Sequence, residues 1–185
     1  MRVVATALMT LDGLIDNPHL WSFDYMDEGT EGRNRGQLFD ADALLLGRET
    51  YVGFAEAWPT MTDEAGFAER MNSITTYVVS TTLEKAEWNN ATIISENVVE
   101  RVAELRKQPG RDLLIYGVGR LARELIAHGL LDEVRLSMHP VVTGAETNTR
   151  VFDRGDQAKL ELVSATTHST GVIDLVYRPL SAKAD

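Results

Sequence analysis

Short apolar runs, each followed by a turn, recur along the first two thirds of the chain. They are too short for typical helices and are rich in aliphatic or β-branched residues, which is typical of buried β-strands. We predict strands at residues 3–9, 43–46, 76–79, 91–94 and 113–116. The first of these runs leads into the turn Asp12-Gly13.

The segments between these runs carry helix signals. Helices are predicted at residues 31–39, 48–57 and 64–72, and the second must stop before Pro59. Asn97, with Glu100 three positions later, predicts a capping box at the start of a helix that ends before Pro109. A further helix follows residue 120 and is closed by Gly129.

The last third of the chain changes from strand–helix alternation to successive strands. We predict strands at residues 134–138, 140–143, 160–167 and 172–177, the last two joined by a turn at 169–171. Alternation followed by strand pairing predicts an α/β fold whose mixed sheet is parallel in its body and antiparallel at one edge. A single domain of residues 1–180 is expected, with a loose tail at 181–185.

Composition excludes several classes of protein. A formal net charge of −10 argues against nucleic acid as a partner. The chain has no cysteine, its four histidines lack ligand spacing, and no metal site is predicted. No run reaches the roughly 18 apolar residues that a membrane span needs. We therefore expect a cytoplasmic protein that binds a small molecule, without nucleic acid or membrane as partners.

Two apolar runs lead through glycine and arginine into a helix, at Gly47-Arg48 and at Gly117-Val118-Gly119-Arg120. Unpaired N–H groups at a helix start favour anions, and arginine adds a planar donor fork for phosphate. These two glycine corners are candidate phosphate sites; the alternative is an ordinary turn with a solvated arginine. The second corner lacks the third glycine of the dinucleotide fingerprint, which disfavours an ordinary Rossmann domain.

Four motifs, in this order, resemble the dihydrofolate reductase superfamily, and more closely its bacterial branch related to the reductase domain of the riboflavin-biosynthesis protein RibD. They are Leu11-Asp12-Gly13, Leu46-Gly47-Arg48-Glu49-Thr50-Tyr51, Val78-Val79-Ser80-Thr81 and Tyr116-Gly117-Val118-Gly119-Arg120-Leu121. The resemblance covers residues 2–178. It implies a three-layer fold with a central, mostly parallel mixed sheet, helices on both faces and antiparallel C-terminal strands, and it implies a homodimer.

The resemblance also implies an NADPH site. Arg48 and Thr50, helped by Ser80 and Thr81, are expected at the 2′-phosphate or pyrophosphate side, and the second corner is expected to wrap the pyrophosphate. The cofactor residues so implied are Gly47, Arg48, Thr50, Ser80, Thr81, Gly117, Val118, Gly119, Arg120 and Leu121. Relatives commonly join two adjacent glycines here by a cis peptide, and we predict that Gly117-Val118 keeps that geometry.

Hydride transfer to a substrate also needs a proton, which a carboxylic acid or a water held by one can supply. Glu31 is the leading candidate, because it lies on the helix where folate-reducing relatives keep their acid. Asp27 and Glu28 are rivals, and Asp12 is a second candidate near the ribose. All of these acids have the alternative of being ordinary solvated or turn residues.

The aromatic residues Tyr51 and Trp58 are candidate substrate contacts, with Trp21 as a further possibility and core packing as the alternative. The resemblance implies an NADPH-dependent reductase of a small heterocycle, similar to 5-amino-6-(5-phosphoribosylamino)uracil reductase of riboflavin biosynthesis. Two other interpretations stay open: reduction of dihydrofolate, and a dimeric ligand-binding protein that keeps the fold without turnover.

Overall fold

The computed structural model describes residues 1–89, 91–144, 149–152 and 157–180. The chain divides into two units, each built from two separate stretches of sequence. Unit 1 contains Met1–Val3 and Asn34–Tyr116, and unit 2 contains Val4–Arg33 and Gly117–Asp185. The tail predicted at 181–185 lies outside the described residues. Within the described part of the chain, we find no helix with the length and apolar character that crossing a membrane requires.

Unit 1 is built on four parallel strands in the order β4-β3-β2-β5. They are β2 (Ala41–Gly47), β3 (Thr75–Val79), β4 (Thr92–Ile94) and β5 (Asp112–Tyr116). Residues 44–46 and 113–114 are completely buried, as expected for parallel strands whose two faces are both covered. Because the strands are parallel, their carboxyl ends share one edge of this sheet.

Unit 1 also contains the helices α2 (Arg48–Ala57), α3 (Phe67–Ser73) and α4 (Val98–Lys107). The bounds of α2 match the prediction. Helix α3 begins three residues later than predicted, because the Asp63 carboxylate accepts hydrogen bonds from the N–H groups of Phe67 and Ala68. These bonds lower the pKa of Asp63, because they stabilise its charged form.

Unit 2 contains four strands in the order β1-β6-β8-β7. They are β1 (Arg2–Thr10, in this unit from Val4 onward), β6 (Glu133–His139), β7 (Leu160–Thr167) and β8 (Ile173–Pro179). Strand β1 pairs with β6 in parallel, whereas β8 is antiparallel to both β6 and β7. Helix α5 (Arg120–Ala127) follows the second glycine corner and is closed by Gly129 with φ +65°.

Helix α1 (Glu28–Asp40) begins three residues earlier than predicted. Asp27 and Thr30 explain this start, because each side chain accepts a hydrogen bond from the other residue's backbone N–H, at 2.9 and 2.8 Å. Such reciprocal bonds satisfy donors that a helix start leaves unpaired. The helix also contains glycine at positions 29, 32 and 36, which weakens its intrinsic preference for helix.

The predicted fold class is confirmed: α/β, with a mixed and mostly parallel set of strands and an antiparallel C-terminal part. The strand predicted at residues 140–143 is wrong. Its backbone binds the turn after β1 instead, with the Leu11 N–H donating to Val141 O at 2.8 Å. The capping box at Asn97 is also wrong, because that residue has φ +50° and its side chain makes no cap hydrogen bond.

Candidate functional site

The first glycine corner joins β2 to α2. Gly47 is the N-cap residue and provides no side chain, so no side-chain oxygen binds the N–H groups at the start of α2. Arg48 is the first helical residue and is exposed, and its guanidinium forms no ion pair with the described residues. A cation at this end of a helix opposes the macrodipole. The corner therefore presents the Arg48 cation to solvent, with the exposed Glu49 carboxylate next to it in the first turn of α2.

The end of β3 lies beside this corner. Gly47 is paired with Val79 in the parallel register, so Ser80 and Thr81 follow at the same edge. Ser80 is buried, and its hydroxyl oxygen accepts hydrogen bonds from the N–H groups of Thr82 and Leu83 at 3.2 and 2.9 Å. Ser80 thus shapes the turn, whereas the Thr81 side chain is exposed beside it.

The second glycine corner follows β5. Gly117 has φ +92°, a conformation that favours glycine, and its N–H donates to Thr6 O at 2.7 Å. Val118 is fully buried and anchors the loop, while Gly119 is the N-cap of α5 and Arg120 is its exposed first residue. The predicted cis geometry is wrong: the Gly117-Val118 peptide is trans. Positive φ at Gly117 makes the turn without the 3–4 kcal/mol or so that a cis bond costs.

Strands β2 and β5 are parallel neighbours, so the two strands that lead into the glycine corners end at the same sheet edge. The corners are also open. A Cβ atom added at Gly47, Gly117 or Gly119 would meet no heavy atom within 4 Å beyond the adjoining residues. The space beside these three glycines is therefore not filled by the described residues, so a ligand could approach the backbone closely there.

A shallow depression of about 310 Å³ lies at the opposite, amino-terminal edge of the unit 1 strands, lined by Arg2, Asp40, Gly110, Arg111 and Asp112. Its arginines are already matched by carboxylates. Arg2 pairs with Asp112 at 2.9 Å, and Arg111 pairs with Asp40 at 3.3 Å. We do not assign this depression to a ligand, because its charges satisfy one another.

Asp12, a predicted catalytic residue, holds loops together. Its carboxylate accepts hydrogen bonds from the Thr10 hydroxyl at 2.5 Å and from the Gly144 N–H at 3.2 Å. Its backbone oxygen accepts one from Arg150. The Thr10 bond is the main cause of a lowered pKa at Asp12, so this carboxylate stays ionised and does not suit a proton donor.

The three acids at the start of α1 differ in their surroundings. Glu31 and Glu28 are both exposed on α1. Asp27 has its pKa lowered to about 2, mainly because Ser169 donates a hydrogen bond to its carboxylate at 2.7 Å. Asp27 is therefore ionised at neutral pH, and Glu31 stays the predicted acid of the three, acting directly or through water.

Tyr51 and Trp58 belong to an aromatic cluster of unit 1. Tyr51 is 3% exposed, and its hydroxyl accepts from the Trp88 N–H at 2.9 Å and faces the Trp88 carbonyl at 3.3 Å. Trp58 lies 6.0 Å from Phe54 and 5.5 Å from Phe67, measured between ring centroids. This geometry favours packing over substrate stacking for Tyr51, whereas Trp58 remains half-buried at the cluster's rim.

Sequence patterns missed a polar cluster inside unit 2. Asp174 of β8 lies at its centre: Ser137 donates to one carboxylate oxygen at 2.6 Å, and His168 Nε2 lies 2.7 Å from the other. Arg33 of α1 forms an ion pair with Asp174 at 3.1 Å, and Asp27 lies 3.6 Å from the opposite ring nitrogen of His168. The cluster thus connects α1, β6 and the β7–β8 hairpin.

His139 is a second buried polar residue of β6. Its ring lies edge-on to Trp21 and Tyr25, at centroid distances of 5.2 and 6.1 Å, and Nδ1 is 3.0 Å from the Ser137 carbonyl oxygen. Burial lowers the pKa of His139, which favours the neutral ring, while hydrogen bonds to the backbone of Ser137 and Met9 partly oppose the shift.

Gly29 makes room for the cluster. A Cβ atom at this position would lie 2.6 Å from His168 Nδ1, closer than side chains approach. We expect Gly29→Ala to lower the free energy of unfolding by about 1–3 kcal/mol, because His168 would have to leave its carboxylates. Gly32→Ala is the matched control on the same helix: nothing lies within 4 Å, and alanine should stabilise by about 1 kcal/mol. Urea unfolding measures both, and equal effects would contradict the packing explanation.

The fold and its open corners define a class: the chain is an α/β protein in which a glycine corner follows the carboxyl end of each of two neighbouring parallel strands. Residues 1–173 match the family model of the RibD C-terminal domain. The chain belongs to that family. The uncharacterized protein YyaP of Bacillus subtilis strain 168 is 33% identical over 179 residues, which cover 95% of this chain and 94% of that protein.

Two solved structures share the fold. One is the Thermotoga maritima diaminohydroxyphosphoribosylaminopyrimidine deaminase/5-amino-6-(5-phosphoribosylamino)uracil reductase, with TM-score 0.65 and 14% identity, covering 97% of this chain and 56% of that one. The other is Enterococcus faecalis dihydrofolate reductase complexed with NADP(H), with TM-score 0.61 and 15% identity, covering 96% of both chains. The fold is therefore dihydrofolate reductase-like, and family membership supports a reductase-type function.

Proposed function

We propose that this protein is an NADPH-dependent reductase of a small nitrogen heterocycle, working in the cytoplasm as a homodimer. One observation carries the proposal: the strands leading into two open glycine corners, each starting a helix with an exposed arginine, end at the same sheet edge. An otherwise acidic molecule with local positive charge at such corners suits a ligand that carries several phosphates.

The residues fit the cofactor in the following way. Arg48 supplies the charged fork for the 2′-phosphate, with Thr50 and Thr81 as hydroxyl donors beside it. Gly119 and the first N–H groups of α5 bind the pyrophosphate, and Arg120 adds charge. When bound, NADPH supplies the hydride.

The residues of this chain would bind the substrate that accepts the hydride and would supply the proton. Glu31 lies on the helix whose inward residues Thr30 and Arg33 are buried or half-buried in unit 2. That helix meets a strand face carrying Ser137, His139 and Asp174, all buried. The fold of the Thermotoga maritima enzyme makes 5-amino-6-(5-phosphoribosylamino)uracil our first candidate substrate.

Thermal unfolding with increasing NADPH tests the cofactor. A ligand that binds only the folded state adds about 2.7 kcal/mol at roughly 100 times its Kd, so the transition should move upward with concentration. If NADPH does not raise the unfolding temperature, the proposal is wrong. With binding established, loss of NADPH absorbance with the pyrimidine ribotide or with dihydrofolate distinguishes the substrates. Binding without turnover of either would favour the silent ligand-binding protein instead.

A further inference from the structure

Residues 18–26 of unit 2 form a segment whose hydrogen bonds are local. Among the described residues, every hydrogen bond of this segment connects positions between 16 and 30. The chain is fixed on either side of the segment, because Ile15 donates to Thr149 O at 3.2 Å and Asp27 accepts from Ser169 at 2.7 Å. Packing, and not hydrogen bonding, therefore holds the segment against the strands of unit 2.

That packing is centred on His139, the last residue of β6. Trp21 and Tyr25 of the segment make T-shaped contacts with the imidazole, at centroid distances of 5.2 and 6.1 Å. His139 is 1% exposed, so water is excluded from its ring. Leu20 and Phe23, the other large apolar side chains of the segment, are exposed and add little to this packing. His139 is therefore the residue of the strands that the aromatic side chains of the segment contact.

The hydrogen bonds of the imidazole do not involve the segment. Nδ1 lies 3.0 Å from Ser137 O, and the backbone of Met9 provides another hydrogen-bond partner. These partners belong to β6 and β1. Release of residues 18–26 would therefore admit water to the ring without breaking either bond. A charged ring gains from such hydration, whereas a neutral ring packs favourably against the two aromatic side chains.

Few ionisable side chains surround the ring of His139. Strand β1 presents an uncharged threonine there, and the other neighbouring elements contribute Arg33 of α1, Asp174 of β8, His168 of the β7–β8 turn and Tyr25 of the segment. Asp174 is the carboxylate of this set, and it is already engaged by Arg33 at 3.1 Å and by the turn histidine at 2.7 Å. His19 and Asp24 of the segment are exposed. A proton on His139 would therefore be buried near Arg33 without a carboxylate of its own.

The pKa of His139 follows from these surroundings. Burial lowers it below the ordinary value of 6.5, and the positive charge of Arg33 adds to the shift. The backbone hydrogen bonds and Asp174 act in the opposite direction, but burial prevails. The ring regains its ordinary pKa when water reaches it. The closed arrangement is therefore fully favoured above pH 6.5 and loses stability as the pH falls toward the lowered pKa.

We propose that His139 is an acid-sensitive latch for residues 18–26. At neutral pH and above, the neutral ring packs against Trp21 and Tyr25 and keeps the segment on the strands. On acidification the ring takes up a proton, and the segment moves away so that water can solvate the charge. Residues 15 and 27 stay in place, so the change is a local opening and not unfolding of the chain. The latch is independent of the reductase proposal, because no cofactor residue takes part in it.

Hydrogen exchange of the full chain between about pH 7.5 and about pH 5.5 tests the proposal, after correction for the intrinsic pH dependence of exchange. The amides to follow donate backbone hydrogen bonds inside the segment and are those of Leu20, Trp21, Ser22, Tyr25 and Met26. We expect their protection to fall by up to about tenfold per pH unit below 6.5, because the opening is coupled to one proton. Amides of β2 in unit 1 should keep their protection.

Two histidine variants separate the latch from other titrating groups. His139→Phe keeps an aromatic ring against Trp21 and Tyr25 but cannot take up a proton, so protection of its segment should no longer change with pH. His19→Gln is the matched control, because it removes the exposed histidine of the segment itself. This control should keep the pH dependence of the unmodified chain.

Segment protection that is constant with pH in the unmodified chain overturns the proposal, and so does a pH dependence that persists in His139→Phe. Parallel loss of protection in β2 also overturns it, because the chain would then unfold as a whole. Should His139→Phe fail to fold, proton NMR of the unmodified chain decides. The ring resonances of His139, identified by their proximity to Trp21 and Tyr25, must titrate below pH 6.5 in step with the loss of segment protection. A ring that does not titrate with the segment overturns the latch.

Discussion

Asp174→Ala should lower the free energy of unfolding by about 3–5 kcal/mol, which is the effect of removing one partner from a buried ion pair. The substitution leaves Arg33 and the Ser137 hydroxyl without the carboxylate that they contact at 3.1 and 2.6 Å. It also removes the partner of His168 Nε2. For a chain of this length the melting temperature should fall by about 10 °C. Calorimetry and urea titration measure the two quantities.

Glu161→Ala is the matched control on the same hairpin. Its ion pair with Arg178 spans 3.6 Å, and both side chains are 57% exposed. Solvent screening limits such pairs to about 0–1 kcal/mol. A loss in Asp174→Ala no greater than in Glu161→Ala would show that the cluster is solvated and that α1 is held by other contacts.

Arg48→Ala should weaken NADPH binding by about tenfold to a hundredfold and leave NADH binding nearly unchanged. Hydrogen bonds to a charged group contribute about 1.5–3 kcal/mol, and NADH lacks the 2′-phosphate that the guanidinium would bind. Arg48 is exposed and has no ion-pair partner among the described residues, so its removal should not unfold the chain. Isothermal titration with both cofactors measures the ratio.

Arg120→Ala provides the comparison, because Arg120 occupies the equivalent first position of α5 at the other corner. The pyrophosphate is common to both cofactors, so this variant should weaken NADPH and NADH equally. If Arg48→Ala also lost equal affinity for NADPH and NADH, Arg48 would contact the pyrophosphate or act only in the scaffold, and the assignment to the 2′-phosphate would be wrong.

Local patterns predicted the strands and both glycine corners well, because short apolar runs with adjacent glycines have few alternatives. Strand β2, helix α2 and the hairpin of β7 and β8 lie within a residue or two of their predicted bounds. The strand predicted at 140–143 failed for a tertiary reason. The backbone of Val141 accepts a hydrogen bond from Leu11 and that of Thr143 donates one to the Asp12 carboxylate, about 130 residues away in sequence.

The candidate site was harder to predict where polar residues turn inward. Strand β6 alternates Val134 and Leu136 with Arg135 and Ser137, a pattern that normally indicates one solvated face. In the structure the Ser137 side chain is buried, because it donates to Asp174, which is itself covered by His168 and by α1. The signal available in the sequence was the presence of polar residues at alternate positions of β6, a strand that has a neighbouring strand on each side. Tyr51 was predicted as a substrate contact, but its hydroxyl bonds the Trp88 backbone within the core.

The cluster around Asp174 has a consequence for the order of assembly. Helix α1 contains three glycines and so has little tendency to form by itself, while Asp27 at its start binds Ser169, which is 142 positions later. Contacts of such high sequence separation form late, after the intervening chain has been brought together. Helix α1 can therefore complete its contacts only after the β7–β8 hairpin, which is synthesised much later, has left the ribosome.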